Sequence, residues 1–313
     1  MPVFEEFPYT NFHELNLDWI IQEIKKLKEP GNIEELEQHR IFSHFRYYVD
    51  GISGNDNNDG LSSAAPFKTL DKAMSMSSVY SQLRINLMTS GIYTCTTGDV
   101  IDNMTIQITA LAPDITLMFT GDNANDFVFY GGYLRLDGKD VSNKMTVIVQ
   151  PKDGVSYGSL SAVNSLFRFE NCIIPYNAIS GNGANIQLET CEFKSLYLHD
   201  GNGHIVNGHV LNTDPDVRPL HVLNTKIALT GTWTVEEPTA ATSVSFMLAR
   251  YSDLTIQSVL VPAGMTNQYL YGIEGVGCYV NITAARQAAI AANTASGNKL
   301  DANPDMNNVF NPF

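Results

Sequence analysis

The chain is short of basic residues: its 313 residues include 19 lysines and arginines against 33 aspartates and glutamates, a formal net charge of −14. Because nucleic-acid binding needs cationic side chains that neutralise phosphates, this balance argues against a DNA or RNA partner. No apolar run approaches the roughly 20 residues that cross a bilayer, so no membrane insertion is expected. The first residues, MPVFEEFPYT, lack the basic and apolar regions of a secretory signal, which predicts synthesis in a cytoplasm.

Cysteine is also scarce, and the usual catalytic motifs are missing. The four cysteines show no CxxC spacing, so we expect buried thiols rather than disulfides or a metal site; they are Cys95, Cys172, Cys191 and Cys278. The sequence contains no Gly-rich phosphate loop, nucleophile elbow or HExxH motif. Nucleotide-binding, serine-hydrolase and zincin functions therefore lack support, and we expect neither a cofactor nor a bound metal.

Hydrophobic alternation dominates residues 46–280. Runs such as TIQITAL, ITLMFTG and NIQLETCEF alternate apolar with polar positions, and Gly, Asn and Asp separate them. This pattern is typical of short strands with one buried face. The region is therefore predicted to be mainly β.

Internal repeats indicate how these strands are joined. The run LFRFENCII aligns with NIQLETCEF at a shift of 19 residues, and looser copies follow in PLHVLNTKI and FMLARYSDL. Each copy turns at a polar corner, at Asn171, Thr190, Asn224 and Tyr251. A repeated strand–corner–strand unit with variable insertions predicts parallel strands stacked in a solenoid, a right-handed parallel β-helix. An antiparallel sandwich is the alternative, but few two-residue hairpin turns support it.

Residues 1–45 differ from the strands and predict a helical segment. Asn11 and Glu14 fit a capping box, after which apolar residues recur at helical spacing. The apolar residues of this segment are Leu17, Trp19, Ile20, Ile21, Ile24 and Leu27. Because so short a helix is marginal in isolation, it needs a partner, either another chain or its own domain.

Two further helices are predicted. Residues 66–76, PFKTLDKAMSM, suit a short helix that covers the open end of the β region. Its apolar face would comprise Phe67, Leu70, Ala73 and Met74. Residues 281–313 contain alanines in a 4-3-4 spacing, which predicts a helix that packs either in an assembled bundle or on its own β region. These alanines are Ala284, Ala288, Ala291 and Ala295.

The stretch VDGISGNDNNDG has the composition of a calcium loop. An EF-hand numbered from Asn55 would need Asp at that position and a bidentate Glu where Pro66 stands. Asn, Asp and Gly also dominate turns, since their side chains bond nearby backbone groups and tolerate unusual conformations. A surface turn is therefore the favoured interpretation.

Stacked carboxylates are the clearest candidates for chemistry. The 19-residue repeat places Glu170 over Glu189 on the outer face, and Asp137 in YLRLDG fits the preceding rung. A carboxylate pair about 5 Å apart suits a retaining glycosidase. The alternative is an exposed acidic column that solvent and Arg168 neutralise.

Four histidines lie close together in sequence: His199, His204, His209 and His221. Their spacing fits neither a helical zinc pair nor one face of a strand. The surrounding Gly, Asn and Asp predict a loop insertion in which these side chains are simply polar.

Two segments carry a resemblance to known proteins. TNFHELNLDWIIQEIKKLKE resembles the N-terminal segment of virion proteins from short-tailed phages of Gram-positive bacteria. YVDGISGNDNNDGLSSAAPFKTLDKAM is similar to the start of pectate-lyase-like β-helices in phage tailspikes and adsorption appendages.

The resemblance implies a homotrimeric spike or fibre of a virion, made in the host cytoplasm. The N-terminal helix would attach it to a portal, collar, capsid or tail protein, and the β-helix would meet a bacterial surface glycan. Two alternatives stay open: a depolymerase that cleaves surface polysaccharide with Glu170 and Glu189, and a decoration fibre without receptor binding. The absence of a signal peptide disfavours a free secreted pectinolytic enzyme.

Overall fold

A computed structural model describes residues 44–76, 82–96, 100–120, 126–150, 158–240, 246–256, 273–282, 300–301 and 309–312. The chain divides into two units, and all of these residues lie in the second, His44–Phe313. The predicted anchoring helix with Leu17, Trp19, Ile20, Ile21, Ile24 and Leu27 lies outside the described residues, as do Ala284, Ala288, Ala291 and Ala295.

The protein is mainly β, as predicted, and its strands pair in parallel. One short helix, α1 (Leu70–Ser75), occurs among the described residues, and none of the described helical structure is long and apolar enough to cross a membrane. In chain order the strands are β1 (His44–Val49), β2 (Gln82–Leu87), β3 (Gly91–Cys95), β4 (Val100–Asp102), β5 (Thr105–Ala110), β6 (Ile115–Phe119), β7 (Asp126–Tyr130), β8 (Tyr133–Asp137), β9 (Met145–Val149), β10 (Ser159–Val163), β11 (Leu166–Glu170), β12 (Cys172–Asn182), β13 (Asn185–Glu189), β14 (Glu192–His199), β15 (Asn202–Val206), β16 (His209–Val210), β17 (Leu220–Leu223), β18 (Lys226–Thr230), β19 (Thr234–Val235), β20 (Met247–Arg250), β21 (Asp253–Ile256), β22 (Ile273–Val276), β23 (Tyr279–Ile282), β24 (Leu300–Asp301) and β25 (Val309–Pro312).

The strands form three ladders. Sheet 1 has the order β1-β2-β5-β8-β11-β13-β15-β18-β21-β23-β25. The second sheet contains two ladders that share β12 and β14: ladder 2 runs β4-β7-β10-β12-β14-β17-β20-β22-β24, and ladder 3 runs β3-β6-β9-β12-β14-β16-β19. From β2 to β19 the chain visits sheet 1, ladder 3 and ladder 2 in that order before it returns to the next strand of sheet 1.

Alternating side chains build the core. In β11 and β13 the even spacing of buried positions turns Phe167, Phe169, Ile186 and Leu188 inward, and each of the four is at most 1% exposed. Because parallel strands stack in register, inward side chains lie on their equivalents one rung away. Side chains from different sheets also meet in the core: the rings of Phe167 on sheet 1 and Phe129 on ladder 2 pack edge to face with centroids 5.5 Å apart.

Two of the cysteines expected to be buried thiols lie on neighbouring rungs of this core. Cys172 and Cys191 are fully buried, and Ile173 next to the first pairs with Glu192 next to the second. Burial raises the pKa of the Cys172 thiol well above its usual value, and the neighbouring Cys191 raises it further. Both thiols donate to backbone carbonyls, which satisfies them without a disulfide or a metal.

The predicted corners all adopt the left-handed conformation: φ is 52° at Asn171, 55° at Thr190, 49° at Asn224 and 50° at Tyr251. They belong to two kinds of corner. Asn171 and Thr190 follow strands of sheet 1, whereas Asn224 and Tyr251 precede them. The alignment of the third and fourth copies with the first two was therefore wrong in phase. Both corners use one left-handed residue followed by a small buried one, so their sequences look alike.

The predicted helix over 66–76 is shorter in the structure and begins at Leu70. Phe67 is instead in an isolated parallel bridge with Val49, and Thr69 caps the helix by accepting from the backbone N–H of Lys72. The predicted apolar face is confirmed, because Phe67, Leu70, Ala73 and Met74 are all buried.

Strands also occur beyond the predicted limits of the β region. β1 begins at His44, and β25 (Val309–Pro312) pairs with β23 inside a segment for which the sequence predicts a helix and a tail. The VFNP residues of that tail thus add a further rung to sheet 1.

Candidate functional site

Three carboxylates form a column on the outer side of sheet 1. Asp137 pairs in register with Glu170, and Glu170 pairs with Glu189. The stacking predicted from the 19-residue repeat is therefore present. Thr109 stands one rung before the column and Val206 one rung after it, so the column is three carboxylates long.

Arg135 forms ion pairs with two of the three carboxylates. Its Nε lies 2.8 Å from Asp137 Oδ1 and 2.9 Å from Oδ2, and its Nη2 lies 3.7 Å from Glu170 Oε2. The hydrogen bond to Asp137 raises the pKa of Arg135. The sequence pointed to Arg168 for this role, but no ion pair joins Arg168 to a carboxylate within the described part of the chain.

The bonding of Asp137 limits the chemistry of the column. Besides Arg135, the amide of Gln107 donates to Asp137 Oδ2 at 2.9 Å. A carboxylate that accepts from a guanidinium and an amide has few lone pairs left for a nucleophilic attack. Glu189 is the exposed end of the column and is the carboxylate best placed to accept hydrogen bonds from a ligand.

The acidic loop after β1 is a structural turn, as its sequence indicates. Asp50 Oδ1 accepts from the backbone N–H groups of Ile52 and Ser53 and from the Thr89 hydroxyl. Asp56 accepts from the N–H groups just before α1, at Lys68 and Thr69. No group of metal-binding side chains occurs among the residues that the structure describes.

The ionised form of Asp50 stabilises the folded state, and this contribution depends on pH. Burial opposes its ionisation, but the bonds from Ser53, Ile52 and Thr89 outweigh burial and lower the pKa of Asp50 to about 2 from 3.8. A depressed folded-state pKa stabilises the fold above the unfolded pKa, and this stabilisation disappears as pH falls through the folded pKa.

We therefore expect Asp50→Asn to lose about 2 kcal/mol of unfolding free energy at neutral pH, and the loss to shrink between about pH 4 and pH 2. Urea unfolding at a series of pH values measures this difference. Asp59→Asn is the matched control, since Asp59 is in the same loop but accepts from the backbone N–H of Leu61 at an exposed site. A pH-independent loss for Asp50→Asn would contradict the expectation.

The four histidines lie on strands, not in the predicted loop. His204 is on sheet 1, His209 is on ladder 3, and His199 and His221 are on ladder 2. The loop is instead 211–219, between β16 and β17. The histidines that are neighbours in sequence thus point to different sides of the protein.

On ladder 3 His209 belongs to a chain of polar contacts. Lys144 Nζ lies 2.8 Å from Glu192 Oε1, His209 Nδ1 lies 3.6 Å from Glu192 Oε2, and His209 Nε2 lies 3.1 Å from Glu236 Oε1. A surface depression of about 380 Å³ adjoins it, lined by Asp114, Thr116, Val141, Ser142, Asn143, Lys144, Thr146, Ile173 and Glu192. These contacts join neighbouring rungs of ladder 3.

On ladder 2 a different group forms. Tyr197 pairs in register with His221, and His199 pairs with Leu223, which in turn pairs with Arg250. The His221 ring meets Tyr197 edge-on at a centroid distance of 6.0 Å and His199 at 5.5 Å. Sequence reasoning missed this group, because the insertion at 211–219 hides the register between β14 and β17.

Comparison with known proteins adds no family. No protein-family model matches the sequence, and no curated protein matches it significantly.

Proposed function

We propose that the strands wind as a right-handed parallel β-helix and that the protein is a structural component of a phage virion. It would be a homotrimeric spike, fibre or appendage, attached through its N-terminal segment and acting in adsorption to the host surface. The observation that carries the proposal is the order in which the chain visits sheet 1, ladder 3 and ladder 2, which is constant from β2 to β19. The resemblance of the two N-terminal stretches to phage appendage proteins supplies the virion setting.

Binding fits the site better than catalysis. Asp137 is committed to Arg135 and Gln107, and the acidic column lies on a sheet face. Glu170 shares Arg135 with Asp137, at 3.7 Å from its Nη2, so a cation already lies beside both carboxylates. In this arrangement Arg135 stabilises the outer face of sheet 1 at Asp137 and Glu170. Glu189 can accept hydrogen bonds from a ligand.

The attachment role is tested by deleting residues 1–43, which stops just before β1. We expect the truncated protein to keep its β circular-dichroism spectrum and its melting temperature but to be missing from particles assembled in its presence. Immunoblots of purified particles, with the full chain as control, measure incorporation. A truncated protein that still enters particles would disprove anchoring through this segment. The mass of the full chain by light scattering tests the trimer separately.

The depolymerase alternative is favoured only by the stacking of Glu170 on Glu189. We expect no release of reducing sugar from host cell wall or capsule by the purified protein. Should release occur, Glu170→Gln and Glu189→Gln decide whether the column performs it, with Glu192→Gln on ladder 3 as a control. Release that both column variants abolish and the control retains would replace the binding proposal by an enzymatic one.

A further inference from the structure

The surface of ladder 2 carries a group of basic side chains around an aromatic ring, here termed the cationic cluster: Tyr197, His199, Arg218, His221 and Arg250. Three strands, β14, β17 and β20, supply four of them on successive rungs. Arg218 comes from the insertion 211–219 that precedes β17. The cluster thus combines a strand face with a residue from a loop at its border.

The basic side chains of the cluster act on one another electrostatically. Burial lowers the pKa of His221, and the charges of His199, Arg250 and Arg218 lower it further. Among the described residues, no ion pair joins His199, His221 or Arg250 to a carboxylate. Arg135 and Lys144, by contrast, each have a carboxylate partner.

Because His199, His221 and Arg250 have no carboxylate partner among the described residues, an anion that enters between them would interact favourably with all three. A guanidinium binds a phosphate or a carboxylate in a fork, and a neutral imidazole still offers one N–H donor. Tyr197 adds a flat ring with a polar tip beside these donors. Arg250 is exposed and His199 and His221 are half-buried, so the donors are accessible from solvent.

We propose that the cationic cluster binds the anionic group, phosphate or carboxylate, of a sugar ligand, with Arg250, His221 and His199 as donors and Tyr197 beside the sugar ring. The inference deepens the proposed adsorption role by naming the ligand class, and it rests on that role for its biological setting. Anion binding itself is measured on the purified full chain, so its failure is distinguishable from a failure of the virion proposal.

The test is a titration of the full chain, followed by the ¹³C-labelled imidazole signals of its histidines. The ligands are glucose 6-phosphate, glucuronate, inorganic phosphate and neutral glucose. We expect the first two to shift His199 and His221 and to leave His204 on sheet 1 unchanged, while glucose shifts none of them. The stronger of the two sugar acids identifies the source of the charge.

Variants assign the donors. Arg250→Gln and His221→Gln should each weaken binding about tenfold or more, since each removes a hydrogen bond to a charged group. In the His221→Gln variant, binding is followed by the imidazole signal of His199. Arg84→Gln and His204→Gln on sheet 1 are the matched controls and should stay within about twofold. Melting temperatures show that each variant is folded.

The outcomes separate clearly. Equal affinity for inorganic phosphate and glucose 6-phosphate supports the anion site and assigns recognition to the phosphate alone. Equal weakening by the control variants would overturn the site in favour of general charge attraction. Glucose binding as strongly as glucose 6-phosphate, or no shift of His199 and His221 with any anion, would overturn it as well.

Discussion

Replacing Asn177 with alanine is expected to lower the free energy of unfolding by roughly 3–6 kcal/mol. The Asn177 side chain is 1% exposed and lies at the bend of β12, where the strand passes from ladder 3 to ladder 2. Its Oδ1 accepts from the backbone N–H of Val149 at 2.8 Å, and its Nδ2 donates to the carbonyls of Val149 and Gly158. Alanine would leave three buried backbone groups without partners, and each such group costs about 1–3 kcal/mol.

Chemical denaturation of the purified protein measures this loss. Asn182→Ala is the control, because Asn182 is near the end of the same strand with an exposed side chain, and a surface change of this kind shifts stability by about 0.5 kcal/mol or less. If the two variants have the same free energy of unfolding, the side-chain amide of Asn177 is not needed for stability.

Gly138→Ala is expected to destabilise the fold by about 3 kcal/mol or more. A Cβ on Gly138 would lie 1.9 Å from the carbonyl oxygen of Asn171 and 2.9 Å from its carbonyl carbon. Both are backbone atoms, so no side-chain rotation relieves the overlap. The Gly138 N–H also donates to the Glu170 carbonyl at 2.8 Å, which joins this turn to the next rung.

Gly51→Ala is the matched control, since its added Cβ would meet only the Tyr93 ring at 3.8 Å, an ordinary contact distance. Thermal unfolding followed by circular dichroism compares the two variants. If Gly138→Ala has the same melting temperature as Gly51→Ala, the turn after β8 is less tightly packed than the structure shows.

The sequence predicted contacts well wherever one strand follows another without an insertion. Glu170 and Glu189 are an example, because their strands β11 and β13 are joined by a short coil of 19 residues and the register follows from counting. The pairing of Tyr197 with His221 could not be counted in this way, because the insertion 211–219 separates their strands. Periodicity shows which side of a strand is buried. It does not show how many residues of an insertion lie outside the strand pairing.

Local rules explain the remaining differences. The chain before α1 looked helical, but Phe67 pairs with Val49 and Thr69 provides the cap, so the helix begins only at Leu70. Arg168 and Arg135 occupy equivalent positions on neighbouring strands, and only side-chain geometry decides that Arg135 takes the carboxylates. Choices between two such equivalents depend on contacts that a single sequence does not reveal.

The left-handed corners make each coil of the proposed β-helix a self-contained unit. The coil that begins at Leu166 brings its own turning residue, Asn171, and its own small buried neighbour, Cys172; the next coil repeats both with Thr190 and Cys191. Inserting or removing such a unit leaves the corners of the earlier and later coils unchanged. It moves every later side chain by about 4.8 Å along the stacking direction. The number of coils therefore sets the distance between the beginning of the β region and the surface that carries Tyr197 and His221.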